Sequence, residues 1–344
     1  MTAAHHGRRR LWSALTLLLV FGALYWVFRG ALPDIRDDLS RFDPGGAALL
    51  LAAGFLYEAG DAAVCLTLLR RKQPDIPFSA AWKATFLGVF ANVATLAAGT
   101  LPMQSCYLYH CGIDAGSSLG IMGSVYVLHK CAVLLYATAA LLLGGRWLRA
   151  AGGSGLARYI AIGYGVSACI ILFLTLLYTW EPVLRLIRFL LGKLPDTAVW
   201  RDRRQRWLAA LTTLQSEARK VLLLPANLVR GLALELVKLF MLYSIPWLSL
   251  RLLGVKTLRF HQAQLLTSLL LLITSALPNI AGIGPTEFAF LLIFSGFMDG
   301  VTAASALTLY RIATYFAPFL YSALVFLHLR RKIALPSHNI QERN

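Results

Sequence analysis

Charge is scarce in this sequence: 14% of its 344 residues are charged against 58% hydrophobic, and the mean hydropathy is +0.64. The apolar residues stand in long blocks. That excludes a transmembrane β-barrel, whose strands read as short alternating segments, and a soluble domain, which cannot hide so many uninterrupted runs. Acid is scarcer than base, and the formal charge of +17 gathers in short clusters beside apolar blocks: Arg8-Arg9-Arg10, Arg70-Arg71-Lys72, Arg201-Asp202-Arg203-Arg204 and Arg330-Arg331-Lys332. Such clusters suit anionic headgroups and topology setting, so the expected partner is a membrane and not a nucleic acid. The five cysteines (Cys65, Cys106, Cys111, Cys131, Cys169) form no CxxC. They read as small buried hydrophobes; only Cys106 and Cys111 share a loop, and no framework supports a bridge there. HExxH, a Gly-rich phosphate loop followed by Lys, and a nucleophile with its base are all missing. The expectation is therefore no catalytic residue, no metal, no cofactor and no enzyme.

What remains is an all-α, polytopic helical membrane protein of about 7–9 membrane segments. The first apolar block, 11–28, follows three arginines, is long enough to span and lacks a convincing cleavage site, so it reads as a membrane helix and not a signal peptide. Further spans are expected at 46–69, 79–99, 119–143, 159–180, 223–250, 261–277 and 302–328. The positive-inside rule puts Arg70-Arg71-Lys72 in the cytoplasm, and with it both termini. Arg146, Arg149 and Arg158 mark a second cytoplasmic loop. Alternation then places 181–222 outside as an interfacial amphipathic helix pair, although it carries nine Lys or Arg against four acids. The expected domain is a single membrane unit, 1–332, with halves at 46–180 and 223–328 and a polar tail at 333–344.

The stretch from Ala276 to Glu287 interrupts an apolar run with two prolines and two glycines, so a continuous helix through it is not expected. A restart signal follows: Gly284 as N-cap, Pro285 at the first helical position, and Glu287 at N3 to reach back to a free amide. Irregular backbone is costly in lipid unless protein covers it or it lines a wet cavity, which makes the break a candidate site. The alternative is a tight loop at the membrane surface. An internal echo supports the first reading. Thr100-Leu101-Pro102 and Ala276-Leu277-Pro278 each close an apolar span, and each precedes a helix bearing a cation, Lys130 and Arg311 respectively. Two re-entrant or broken stretches in two repeated halves would explain the echo, and so would coincidence in so apolar a chain.

Charged groups at membrane depth cost roughly 2.5–3.5 kcal/mol each on insertion scales, so those present must pair or face water. Glu235 and Lys238 lie three apart on one helix face and neutralise each other. Glu58 and Asp61 are spaced likewise but are both acids, so they need an outside cation, a proton or water, with His129, Lys130 and Arg311 as candidate partners. A static ion network is the alternative for all of them.

Pro278, Gly282, Gly284 and Glu287, followed by Tyr310-Arg311, resemble the second half of the membrane domain of lysylphosphatidylglycerol synthases and their flippase-like relatives, with Ala281 where the first glycine of that pattern stands. In the first half Asn92 and Pro102 fit, while Ser105-Cys106 replaces the expected Gly-Glu and His129-Lys130 the expected Glu-Arg. The resemblance implies an inner-membrane protein that flips an anionic lipid or lipid-linked molecule between leaflets, or else a scaffold for an envelope-lipid enzyme. No soluble aminoacyl-transfer domain is expected after the last span, so synthase activity is not implied; a homo-oligomer is compatible. The substrate-binding set assigned on this basis is Asn92, Pro102, Lys130, Asn279, Gly282, Gly284, Pro285, Glu287, Tyr310 and Arg311. Amides at the Pro285 helix start, with Lys130 and Arg311, would meet the phosphate.

Overall fold

The computed structural model describes residues 44–95, 98–151, 153–193, 198–275, 277 and 284–333. The expected span 11–28, the residues Pro278, Asn279 and Gly282, and the tail 334–344 lie outside the described residues. The described residues are all helix and connection, with no strand among them.

In chain order the helices are α1 (Pro44–Leu69), α2 (Phe78–Ala94), α3 (Thr100–His110), α4 (Ala115–Ala150), α5 (Ala157–Thr179), α6 (Glu181–Gly192), α7 (Ala198–Leu222), α8 (Pro225–Leu252), α9 (Phe260–Thr274), α10 (Pro285–Phe294), α11 (Gly300–Arg311) and α12 (Ala317–Ile333). A π turn, Ile312–Phe316, joins the last two into one helix. Among the described residues four helices are long and apolar enough to cross a membrane: α1, α4, α5 and the joined Gly300–Arg330. α8 is as long, at 28 residues, but Glu235 and Lys238 interrupt its apolar face.

α4 is the axis of the bundle. Asp114 starts it, accepting hydrogen bonds from the Ser117 amide at 2.8 Å and hydroxyl at 2.6 Å. Its 36 residues rise about 54 Å, well beyond a hydrocarbon core, so its two ends lie on opposite faces of the bundle. At the Asp114 end, Lys72 bridges Asp114 and Glu217, each at 3.7 Å. At the other end, Gly144 lies against Leu265, and Trp147 stacks on Phe297 at 5.2 Å.

These contacts correct two expectations. The expected span 79–99 ends early: α2 stops at Ala94, and α3 turns back along it, with Gly88 against the Gln104 side chain and Gly112 near Gln73. The α2–α3 hairpin therefore starts and finishes at the Lys72 end, which shifts the parity of everything after it. Consequently Arg70-Arg71-Lys72 and the Arg146, Arg149 pair stand at opposite ends of α4 and cannot both be cytoplasmic. The segment 181–222 does form two helices, but they sit at the Lys72 end. Arg219 donates to the Thr179 carbonyl at 2.9 Å and pairs with Glu181, and Asn227 donates to the Lys220 carbonyl. α7 also lies directly on α4, because Gly116 and Gly120 admit its backbone: a Cβ at either would stand 2.5 Å from the carbonyl oxygen of Ala210 or Leu214. Small residues at such spacing are what let membrane helices approach closely.

α9 and α10 form a second hairpin, from the opposite end. α9 enters beside Gly144 and α10 leaves toward Trp147, while Ser275, just past α9, reaches Lys130 near the middle of α4. Gly144 and Lys130 are about 20 Å of helix apart. Two apolar cores hold the bundle: one joins α4, α8, α9, α10 and α11, and the other joins the end of α1, α2, α3 and α12.

Candidate functional site

The break ends where its sequence predicts. Gly284 has φ +99°, a conformation that side chains resist, and Pro285 opens α10. Glu287 reaches back, its Oε2 accepting from the Gly284 amide at 2.6 Å. Proline has no N–H, so the amides of Thr286 and Glu287 are left in the first turn without an intrahelical acceptor.

The other oxygen of Glu287 is committed as well. Arg311 donates to Oε1 through Nε at 2.6 Å and through Nη2. The guanidinium lies over the Tyr315 ring, 4.9 Å from its centroid, and is almost fully buried. Arg311 therefore faces a carboxylate, and the pair is close to neutral. The expected placement of Glu287 as a cap holds; the expected Arg311, offered to an anion, is engaged by Glu287. Tyr310 is buried against Phe290.

The π turn begins one residue after Arg311. Such turns widen a helix and recur at functional sites. Here it meets Gly54 of α1, where a Cβ would stand 2.0 Å from the Ala313 carbonyl oxygen.

Lys130 donates to the Ser275 hydroxyl at 3.0 Å and lies 5.4 Å from the Tyr126 ring centroid. Among the described residues it meets no carboxylate. Asn92 is half-buried in α2, and Pro102 is exposed in the first turn of α3, where a proline costs no hydrogen bond. Among the described residues no hydrogen bond or ion pair links either to Lys130 or Arg311.

A second cluster lies between α1, α8 and α4. Lys238 Nζ bridges Asp61 Oδ1 at 2.8 Å and Glu235 Oε2 at 2.7 Å, and His129 Nδ1 donates to the same Glu235 oxygen at 3.0 Å. Glu235 and Lys238 neutralise each other as their spacing predicts. Asp61 pairs with Lys238, which also pairs with Glu235, and not with any of the three candidates named for the acid pair; of those, only His129 joins this cluster, through Glu235. Glu58 is buried one turn before Asp61, and Glu235 Oε1 is buried without a hydrogen bond. Ser275 and Tyr315 carried no sequence signal beyond adjacency to the break and to Arg311.

Outside the spans, partial burial pushes the Asp114 carboxyl up, but the Ser117 hydrogen bonds and the Lys72 ammonium outweigh it and hold it below the usual carboxylate range.

Long apolar helices and ionic groups confined between them define a polytopic helical membrane protein. Residues 13–322 match the family described as the lysylphosphatidylglycerol synthase TM region, so the chain belongs to that family, membrane proteins with a lipid-related role. No curated protein matches the chain.

Proposed function

We propose that this protein moves an anionic lipid, or a lipid-linked anion, between the leaflets of the cytoplasmic membrane without enzymatic chemistry of its own. The observation that carries the reading is the Lys130 ammonium, held by Ser275 at the edge of the broken stretch with no carboxylate partner among the described residues. An uncompensated cation at membrane depth is costly unless an anion or water meets it. The amides of Thr286 and Glu287 at the α10 start add donors of the kind that phosphate groups accept. In this reading both hairpins are re-entrant, Asn92 and Pro102 belong to the first as Asn279, Gly282, Gly284 and Pro285 belong to the second, and 46–180 and 223–328 are the two halves of one domain. Arg311 and Glu287 position the α10 start, and Tyr310 packs beneath it.

Orientation follows from where the basic residues fall. The Lys72 end holds Arg70, Arg71 and Lys72 together with the nine of 181–222, while the other end holds Arg146, Arg149, Arg158, Arg251, Lys256 and Arg259. The positive-inside rule makes the Lys72 end cytoplasmic. α6, with Leu186, Phe189 and Leu190 exposed beside Arg185 and Arg188, then lies along the anionic inner surface. Both termini are placed in the cytoplasm on the strength of their own basic clusters.

The rival reading is a non-transporting scaffold for an envelope-lipid enzyme, which the closed Glu287–Arg311 pair favours because it holds the bundle without needing a ligand. A leaflet-resolved lipid assay on reconstituted protein separates the two.

A further inference from the structure

We propose that the cluster around Glu58 is a proton-binding site, that Glu58 carries the proton, and that its loading is coupled to lipid movement; the coupling rests on the function proposed above, the site itself does not.

The charges do not close without it. Among the described residues Glu58, Asp61 and Glu235 supply three carboxylates to one cluster, Glu58 and Glu235 buried and Asp61 partly so, against the single permanent cation Lys238. Protonating His129, which already donates to Glu235, adds a second positive charge and still leaves one surplus negative charge. The geometry says where that surplus sits. Asp61 and Glu235 share the Lys238 ammonium at 2.8 and 2.7 Å, while among the described residues Glu58 makes no ion pair. Among the described residues the charged groups facing Glu58 are Asp61 on its own helix and Lys238 from α8. Glu235 of α8 and His129 of α4 act on it through Lys238, and Tyr57 lines the same face of α1 with its ring 5.8 Å from the ammonium. A buried ionised carboxylate three residues from another on the same helix face is relieved by taking up a proton. A metal ion is the weaker remedy. The ammonium already stands between Asp61 and Glu235, and among the described residues no group of three or more His, Cys, Asp or Glu is placed to hold one.

Access and linkage are both present. Glu58 is 5% exposed, whereas the Asp61 side chain one turn further on is 28% exposed, so a partly exposed carboxylate stands beside the buried acid. The step is a simple exchange: the Glu58 carboxyl O–H bond breaks, the electron pair stays on oxygen, and the proton passes to water. One turn before Glu58, Gly54 lies against Ala313 in the π turn, two residues after Arg311, which holds Glu287 and so the start of α10. A change of charge at Glu58 thus acts on the helix face that touches the turn carrying the Arg311 tether.

Infrared difference spectroscopy of the purified protein in vesicles tests the site. The expected result is a protonated carboxyl C=O band at neutral pH that shifts in D2O and is missing from Glu58→Gln, with that variant unfolding at or above the wild-type temperature, because the amide mimics the neutral acid. A wild-type spectrum without the band, or a Glu58→Gln protein that keeps it and unfolds early, overturns the site. The coupling is read separately from the initial rate of lipid movement under an imposed pH gradient. One pH unit is expected to change the wild-type rate by up to about tenfold per coupled proton and to leave Glu58→Gln unchanged. A wild-type rate indifferent to the gradient overturns the coupling. If the wild type moves no lipid at all, the proposed function fails and the coupling with it, while the infrared result still decides the site.

Discussion

Arg311 and Glu287 are joined through one carboxylate oxygen, while the other oxygen of Glu287 caps the Gly284 amide. One acidic side chain thereby ties together the end of the break, the start of α10 and the helix that carries the π turn. Gly284 takes a φ of +99° at no steric cost, so the tether and the glycine together set where the helix restarts.

Removing either partner should therefore loosen the fold before it touches any ligand. Arg311→Gln and Glu287→Gln are each expected to cost about 1–3 kcal/mol, between the values for exposed and fully buried pairs, since the Glu287 side chain is 33% exposed. Thermal unfolding of the purified variants reads this, and the double variant should cost less than the sum. Wild-type stability in Arg311→Gln would instead show that the contact with Glu287 does not hold the restart.

Gly54 sits where α1 meets the π turn with no room for a side chain. Gly54→Leu should push the helices apart and destabilise by about 1–3 kcal/mol, as overpacking does, and Gly54→Ala should do so in smaller measure. A Gly54→Leu protein as stable as wild type would mean that the close approach is not maintained in the membrane.

Much of this was legible in the residues. The long apolar blocks gave the helices, Gly284-Pro285-x-Glu287 gave the α10 start, and the Glu235 and Lys238 spacing gave their pairing. The α2–α3 hairpin was hidden because 79–99 is apolar enough to read as a full span, and nothing local reveals that the chain doubles back; Gly88 against Gln104 is a tertiary fact. That single miss inverted the side assigned to 181–222 and made its basic residues look anomalous. The Lys238 and Asp61 pairing was out of reach for the same reason, since it depends on how α8 crosses α1.

Topology is the direct consequence of that correction. A cysteine replacing Arg203 should escape an impermeant thiol reagent in intact cells, with any outer membrane opened, and one replacing Lys256 should react. Labelling at 203 but not at 256 would place the Lys72 end outside and reverse the orientation.

At the Lys72 end the Asp114 carboxyl is held below its ordinary range, so its contribution is present above the unfolded carboxylate pKa and is lost as pH falls through the lowered folded value. Half of its side chain is exposed, so the effect should stay below about 1 kcal/mol. Asp114→Asn keeps a capping side chain without the charge, and its unfolding temperature should vary less with acid pH than that of the wild type. An unchanged pH profile would show that the Asp114 charge, with its Ser117 and Lys72 contacts, contributes nothing.

The central claim is that Lys130 meets an anionic headgroup during movement between leaflets. Vesicles carrying the purified protein and a trace of fluorescent phosphatidylglycerol, bleached from outside by a membrane-impermeant reductant, test it most directly. Bleaching should run beyond the outer-leaflet half in wild-type vesicles. It should slow by about tenfold or more in Lys130→Gln, the loss of one charge-assisted contact, with thermal stability unchanged. Bleaching that stops at the outer leaflet with wild-type protein, or that proceeds equally fast in Lys130→Gln, would contradict the account.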